Sequence, residues 1–286
     1  MRRSWMILLL MLLAHGAAVS APPKGFLFII GGGDRDEVMM RRFVELAGRF
    51  GTGRIVVFPM ASSEPEATGD SLVGELKKLG AREAKSFVLS REQALAEGSD
   101  RILDGAGGVF FSGGDQSRQT AILLHTPLHR RLLDLYANGC VMGGTSAGAA
   151  VMSEVMITGD EKRKPEEGHE FETIEAGNVI TTEGFGFLKT AIIDQHFVVR
   201  KRLNRLISLV AEKPHLLGIG IDESTAIVVE RGRIFEVTGE GQVLVWDGSK
   251  ARVRAASDRK IGLAGMLFHV LLPGDRFDLA ARKAVT

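Results

Sequence analysis

The sequence predicts an α/β fold: a mostly parallel sheet with helices on both faces, extended at its C-terminal end by antiparallel strands. Three observations predict it. Short continuous apolar runs, such as Gly25-Phe-Leu-Phe-Ile-Ile30, read as strands buried on both faces, because a half-solvated strand would alternate. Segments with apolar residues at helical spacing separate these runs, which is the βαβ pattern. Glycine-rich segments end three of the runs, at 31–34, 113–116 and 143–148. Ligands of open α/β sheets bind beyond the carboxyl ends of the strands. The three segments are therefore expected on one edge of the sheet, around a site.

The first 21 residues stand outside this pattern. Arg2 and Arg3 form a positive start, Met6 to Ala14 is an apolar stretch too short to span a bilayer, and Val19-Ser-Ala21 has the form of a cleavage tripeptide. Residues 1–21 therefore read as a secretory signal peptide, with 22–286 as a single exported domain, periplasmic or extracellular. The 36 basic residues become 34 once Arg2 and Arg3 leave with the signal, against 35 acidic ones, a net charge of −1. No basic field invites nucleic acid or an anionic membrane. Cys140 is the only cysteine, which excludes an intramolecular disulfide and a cysteine metal cluster.

In the mature chain, Gly25 to Ile30 is the first strand, ended by Gly31-Gly-Gly-Asp34. That tetrad does not continue as a dinucleotide fingerprint. Val38 to Phe50 is helical by spacing, and Arg54 to Met60 is a second buried strand. Ser71 to Leu79 is helical, Ala84 to Leu89 a strand, and Ile102 to Gly107 closes a helix. Gly108 to Ser112 is a strand running into Gly113-Gly-Asp-Gln116, followed by helices over 117–124 and 128–138. A short strand at Cys140 then reaches Gly143. Residues 159–178 are highly charged and without period, the mark of a mobile surface loop. Thr190 to Ile193 is a strand, Arg202 to Ala211 an amphipathic helix and Leu217 to Ile221 a strand. Ala226–Glu230, Arg233–Val237 and Val243–Trp246 are joined by glycine turns and read as one antiparallel meander. Leu263 to Leu272 is a final apolar strand.

Gly144, Ser146 and Gly148 spell G-x-S-x-G, the spacing of a nucleophile elbow, in which a serine sits exposed on a tight strand-to-helix turn. A serine nucleophile needs a base, and a group to orient that base. Six histidines lie beyond the signal. His125 and His129 sit on a polar helix turn, His169 in the charged loop and His215 in a connection, while His269 reads as a satisfied core histidine. His196 alone directly follows a buried strand, flanked by Asp194 and Gln195. Asp222 and Glu223 also follow a strand: one would orient the imidazole and the other bind backbone N–H groups. The order serine, histidine, acid differs from that of α/β-hydrolases. The amide of Ala147, with that of Gly114 from a neighbouring strand end, would form an oxyanion hole, and Gln116 could add a side-chain contact. Arg202 and Arg205 share a helical face, with Arg200 close by, and guanidinium forks suit substrate carboxylates.

Together, Gly143-Gly-Thr-Ser-Ala-Gly-Ala149, Phe111-Ser-Gly-Gly-Asp-Gln116 and Asp194-Gln-His-Phe197 with its trailing arginines resemble the peptidase E and cyanophycinase family of serine peptidases. Gly220-Ile-Asp-Glu-Ser-Thr-Ala226 and Pro273-Gly-Asp-Arg-Phe-Asp278 resemble its cyanophycinase branch, most of all the exported forms. The resemblance covers nearly all of the mature chain except the 159–178 loop. It implies a class I glutamine amidotransferase-like fold with Ser146 as nucleophile, His196 as base and Glu223 as orienting acid. Gly114 and Ala147 would form the oxyanion hole. Gln116, Thr145, Asp194 and Gln195 would line the substrate site, with Arg200, Arg202 and Arg205. The implied substrate is multi-L-arginyl-poly-L-aspartate, an aspartate backbone with arginine on each β-carboxyl, cut to β-aspartyl-arginine without metal or cofactor. Two other readings are an isoaspartyl dipeptidase of the same family and a catalytically silent polymer-binding protein. The family also makes a homodimer a reasonable expectation.

Overall fold

The computed structural model describes residues 21–256 and 258–285, so the signal-peptide expectation lies outside the described residues but for Ala21. The chain opens with β1 (Phe26–Ile30), α1 (Glu37–Ala47), β2 (Arg54–Phe58), α2 (Pro65–Lys78) and β3 (Glu83–Ser86). Then come α3 (Arg91–Leu95), a 3-10 turn (Ser99–Leu103), β4 (Ala106–Phe111), α4 (Gln116–Leu123), α5 (Pro127–Asn138), β5 (Val141–Thr145) and the single turn α6 (Ala147–Ala150). The hairpin of β6 (Val155–Glu161) and β7 (Val179–Glu183) precedes β8 (Ala191–Gln195), α7 (Leu203–Glu212) and β9 (Leu217–Ile221). The remaining strands are β10 (Thr225–Glu230), β11 (Ile234–Gly239), β12 (Val243–Asp247), β13 (Arg252–Ala255), β14 (Ile261–Ala264), β15 (Leu267–Leu271), β16 (Arg276–Asp278) and β17 (Lys283–Val285).

The large sheet has the order β17-β16-β11-β10-β1-β5-β4-β2-β3. β1, β5, β4, β2 and β3 pair in parallel, and the other four strands extend the sheet antiparallel beyond β1. Alternate residues of each inner strand serve opposite faces, as a two-residue period demands. Phe28, Ile30, Ile55, Val57 and Phe110 pack with Met40, Phe43 and Leu76 of α1 and α2. Leu27, Ile29, Val56, Phe58 and Phe111 pack with Leu123, Leu128 and Leu132 of α4 and α5. Both faces are covered, which is why these strands carry no polar alternation.

Local signals set the helix ends. The Asp36 side chain accepts from the Met39 amide at the start of α1, and Ser90 and Gln93 form a reciprocal capping box on α3. α2 begins at Pro65, earlier than the expected Ser71, because proline is preorganised for the first turn even though Glu66 to Gly69 offer few apolar residues.

A second sheet, of order β15-β12-β9-β8, was not visible in the sequence pattern. β8 and β9 pair in parallel, with Gln195 opposite Ile221. The expected meander is divided between the sheets. β10 and β11 join the large sheet, whereas β12 pairs with β9, Val245 opposite Ile219, and with β15. β12 is buried throughout, with Val243 and Val245 facing the core shared with the large sheet and Leu244 and Trp246 facing α7. The charged segment after Gly159 is partly β6, and its remainder docks on α7. Asn204 donates to the Phe171 and Glu172 carbonyls, and the Glu175 amide donates to Ser208. Among the described residues no helix is long and apolar enough to cross a membrane.

Candidate active site

Ser146 leaves the end of β5 with φ 53° and ψ −111°, a conformation that side-chain-bearing residues rarely adopt. Its amide donates to the Ile30 carbonyl at 3.0 Å, and its own carbonyl accepts from the Ala149 and Ala150 amides. The flanking glycines let backbones touch. A Cβ on Gly144 would stand 2.3 Å from the Gly148 oxygen, and one on Gly148 would stand 2.2 Å from the Phe111 oxygen.

Because β8 and β9 are parallel and in register, the turns after them lie side by side, and His196 and Glu223 come from those turns. His196 Nε2 lies 2.8 Å from Ser146 Oγ, and its Nδ1 lies 2.5 Å from Glu223 Oε1. The carboxylate fixes the tautomer: Nδ1–H donates to Glu223, leaving Nε2 to accept the serine proton. Asp222 Oδ1 instead accepts from the Val198 and Val199 amides, holding the turn that carries His196. Burial holds the His196 pKa below the usual imidazole value, and the Arg200 and Arg202 charges add to this against the upward pull of Glu223. The imidazole is therefore neutral at neutral pH, the form that accepts a proton.

Gly32 and Gly33 lie at this site, where the strand-end segment 31–34 was expected, and they make room for two of its side chains. A Cβ on Gly32 (φ 106°) would stand 2.2 Å from His196 Cε1, and one on Gly33 2.8 Å from Glu223 Cβ. The Gly31 carbonyl accepts from the His196 amide at 2.7 Å. The run of three glycines was the available signal, but the partner it accommodates is far away in sequence.

The remaining expected site residues divide into several groups. Gly113 lies beside Ser146, where its Cβ would be 3.4 Å from Ser146 Cβ, and Gly114 (φ 131°) approaches the Ala61 oxygen too closely for any side chain. Ala147 is the first residue of α6, and Thr145 is a buried wall of an adjoining cavity. Asp194 and Arg205, 1% and 3% exposed, form a bidentate ion pair with each other, and Arg205 Nε lies 2.7 Å from Asp194 Oδ2. Arg202 donates to the Gln195 carbonyl at 2.7 Å and also to its side-chain oxygen, and burial depresses its pKa to about 10. The contacts among these four residues brace the strand end beneath His196, engaging Nη1 of Arg202 and Nε and Nη2 of Arg205. Gln116 spends both amide hydrogens on the Ile157 and Thr158 carbonyls, which anchors β6. Arg200 is exposed.

The other histidines among the described residues stay apart from this cluster. His129 is buried, contrary to its expected surface position, with Nε2 at 3.0 Å from the Phe185 carbonyl. His269 packs edge-on against Phe277, but its Nε2 is buried without a partner, so it is not the satisfied core histidine expected. Burial raises the Cys140 thiol pKa to about 12, which keeps it protonated and unreactive.

A serine on a strained strand-to-helix turn, linked through an imidazole to a carboxylate on an α/β scaffold, defines a serine-type hydrolase. The chain belongs to peptidase family S51, whose model matches residues 27–237. It is 34% identical to the cyanophycinase of Geminocystis herdmanii (strain PCC 6308), over 89% of this chain and 94% of the relative. It is also 34% identical to the cyanophycinase of Nostoc sp. (strain PCC 7120), over 92% of this chain and 88% of that one. Among solved structures, a peptidase from an acI-B1 Actinobacterium shares the fold, with a TM-score of 0.64 and 22% identity over 89% of this chain and 96% of that one.

Proposed function

We propose that this serine peptidase is an exported exopeptidase that cuts multi-L-arginyl-poly-L-aspartate to β-aspartyl-arginine. The observation that carries the proposal is the unbroken hydrogen-bonded run from Ser146 Oγ through both His196 nitrogens to Glu223. The substrate follows from the two similar cyanophycinases, which align with this chain along nearly its whole length.

In this reading Ser146 Oγ attacks the scissile carbonyl carbon as its proton passes to His196 Nε2. Glu223 holds the resulting imidazolium, and the Gly114 and Ala147 amides receive the oxyanion. The imidazolium then protonates the leaving amine, the C–N bond breaks and an acyl ester remains on Ser146. Water attacks the ester and gives its proton to His196, and Ser146 Oγ regains a proton as the ester C–O bond breaks. Every proton is moved by this chain's own side chains. Residues 1–21 would be removed on export, leaving 22–286 as the mature domain; sequencing the N-terminus of the exported protein checks this.

Ser146→Ala tests the chemistry. It is expected to lower kcat on the purified polymer by about a millionfold, to the residual given by binding and the oxyanion hole. Unchanged turnover, or a serine-directed probe landing on another residue, would discard the mechanism. Brisk cleavage of plain isoaspartyl dipeptides with no arginine-bearing product from the polymer would keep the chemistry but replace the substrate.

A further inference from the structure

Beside Ser146 the surface opens into a groove that the mechanism above does not use. Its inner cavity, about 310 Å³, is walled by Arg35, Thr68, Ser71, Ser112, Gly113 and Thr145. Two of these tie it to the nucleophile: Thr145 precedes Ser146, and Gly113 lies against the Ser146 side chain. An outer cavity of about 430 Å³ shares Arg35 and Ser71 with the first and adds Glu37, Asp70, Glu75 and Lys78. Each falls within the size range of small-ligand sites. Ser71, Glu75 and Lys78 recur at three- and four-residue spacing and so share one face of α2.

The walls carry both signs of charge, three carboxylates and two cations, and Arg35 stands where the cavities meet. Its Nη2 donates to Glu75 Oε2 at 2.8 Å, while its Nε is buried without a hydrogen-bond partner. A buried guanidinium N–H left without an acceptor is destabilising, and the planar fork suits a carboxylate. An acidic peptide would meet like charge at Glu37, Asp70 and Glu75, and a purely cationic one would face Arg35 and Lys78. A ligand with one carboxylate and one guanidinium matches both halves.

If the substrate is the one proposed above, each repeat presents that pair. The arginyl arm is joined through its α-amine, which leaves its α-carboxylate and guanidinium free. We propose that this groove is a subsite for the arm of a repeat next to the scissile bond, with Arg35 binding the arm's carboxylate and Glu75 and Asp70 its guanidinium. The Arg35–Glu75 contact then exchanges for two contacts to the substrate, so neither charge is left unpaired. Arg35 thus acts as a specificity residue, reading the arm and not the reacting carbonyl.

The test is a mutant–substrate cycle on synthetic β-aspartyl-arginine oligomers with arms ending either in the free carboxylate or in the carboxamide. Wild-type enzyme should cleave the carboxylate form with a KM lower by on the order of tenfold or more. Arg35→Gln should lose that preference, with the loss falling on KM and none further on the carboxamide form. Citrulline arms, which remove the guanidinium charge, should weaken the wild type but not Asp70→Asn/Glu75→Gln. If the wild type cleaves neither oligomer, the proposed function fails and the subsite with it. If it cleaves both and Arg35→Gln keeps the full preference, the subsite alone is overturned. Should Arg35→Gln not fold, equal wild-type KM values for the two oligomers still overturn the carboxylate half.

Discussion

At the scale of single residues, the site turns on one imidazole whose surroundings pull its proton affinity in opposite directions. Glu223 favours the charged form, but burial and the Arg200 and Arg202 charges win, and the His196 pKa lies below 6.5. The neutral imidazole, the form the proposed mechanism needs as its base, is then present at neutral pH and persists into mild acid. The acidic limb of kcat/KM is expected below pH 6.5, and a limb centred above 7 would contradict the assigned environment. Stability shares the same sign. With the folded pKa depressed, the unfolded chain takes up the proton first as pH falls. The His196 contribution is therefore intact above 6.5 and lost progressively as pH falls from there through the folded value. Replacing His196 with Gln should flatten that part of the stability profile in denaturant titrations at several pH values.

At the scale of elements, α7 links two things the sequence kept separate. Its Arg205, with the preceding Arg202, reaches back to Asp194 and Gln195, and its Asn204 and Ser208 hold the charged segment after β6. Arg205 also lies 5.1 Å from the Phe171 ring centre of that segment. A buried bidentate pair loses more when one partner is removed than it contributes when whole, because the other charge is stranded. Arg205→Met should therefore cost about 3–5 kcal/mol in denaturant unfolding, and Arg205→Lys should recover only part, since a point charge cannot make the fork. If Arg205 instead touched substrate, KM would rise with stability unchanged. This pairing shows where sequence reasoning stops. G-x-S-x-G and the strand-end histidine were legible because their chemistry sits in local spacing. The arginines were legible as an arginine-rich helix start but not as partners of Asp194, because helical periodicity gives a face and not what the face meets. Gly32 was legible as part of a segment at the site edge, but its partner was not, since nothing near it names His196. The start of α2 was missed because Pro65 to Gly69 carry a helix with little apolar period, and β12 was misassigned because a glycine turn does not say which sheet the next strand joins.

At the scale of the molecule, the site is a joint between two sheets. Ser146 comes from the large sheet, and His196 and Glu223 from the small one, so the 2.8 Å contact between Nε2 and Oγ spans the seam. The residues that hold the seam are apolar. Ile219 and Val245 from the small sheet share one core with Leu27, Ile29 and Phe111 from the large one. Packing there sets where the imidazole stands, whereas packing on the opposite face of the large sheet, around Ile55, does not touch the seam. Ile219 and Ile55 are both fully buried, so truncating either to alanine should cost a similar amount, roughly 2–5 kcal/mol. Their effects on catalysis should differ. Loss of Ile219 lets β9 settle toward the vacated volume three residues before Asp222 and four before Glu223. Displacements of about 1 Å in a reacting array can lower rates roughly a hundredfold. Measured well below both melting temperatures, Ile55→Ala should keep the wild-type kcat while Ile219→Ala loses much of it. Equal kcat values for the two variants would mean that the turns carrying His196 and Glu223 are held by their own hydrogen bonds to Gly31, Gly32 and Asp222, and that the packing between the sheets is not what aligns them.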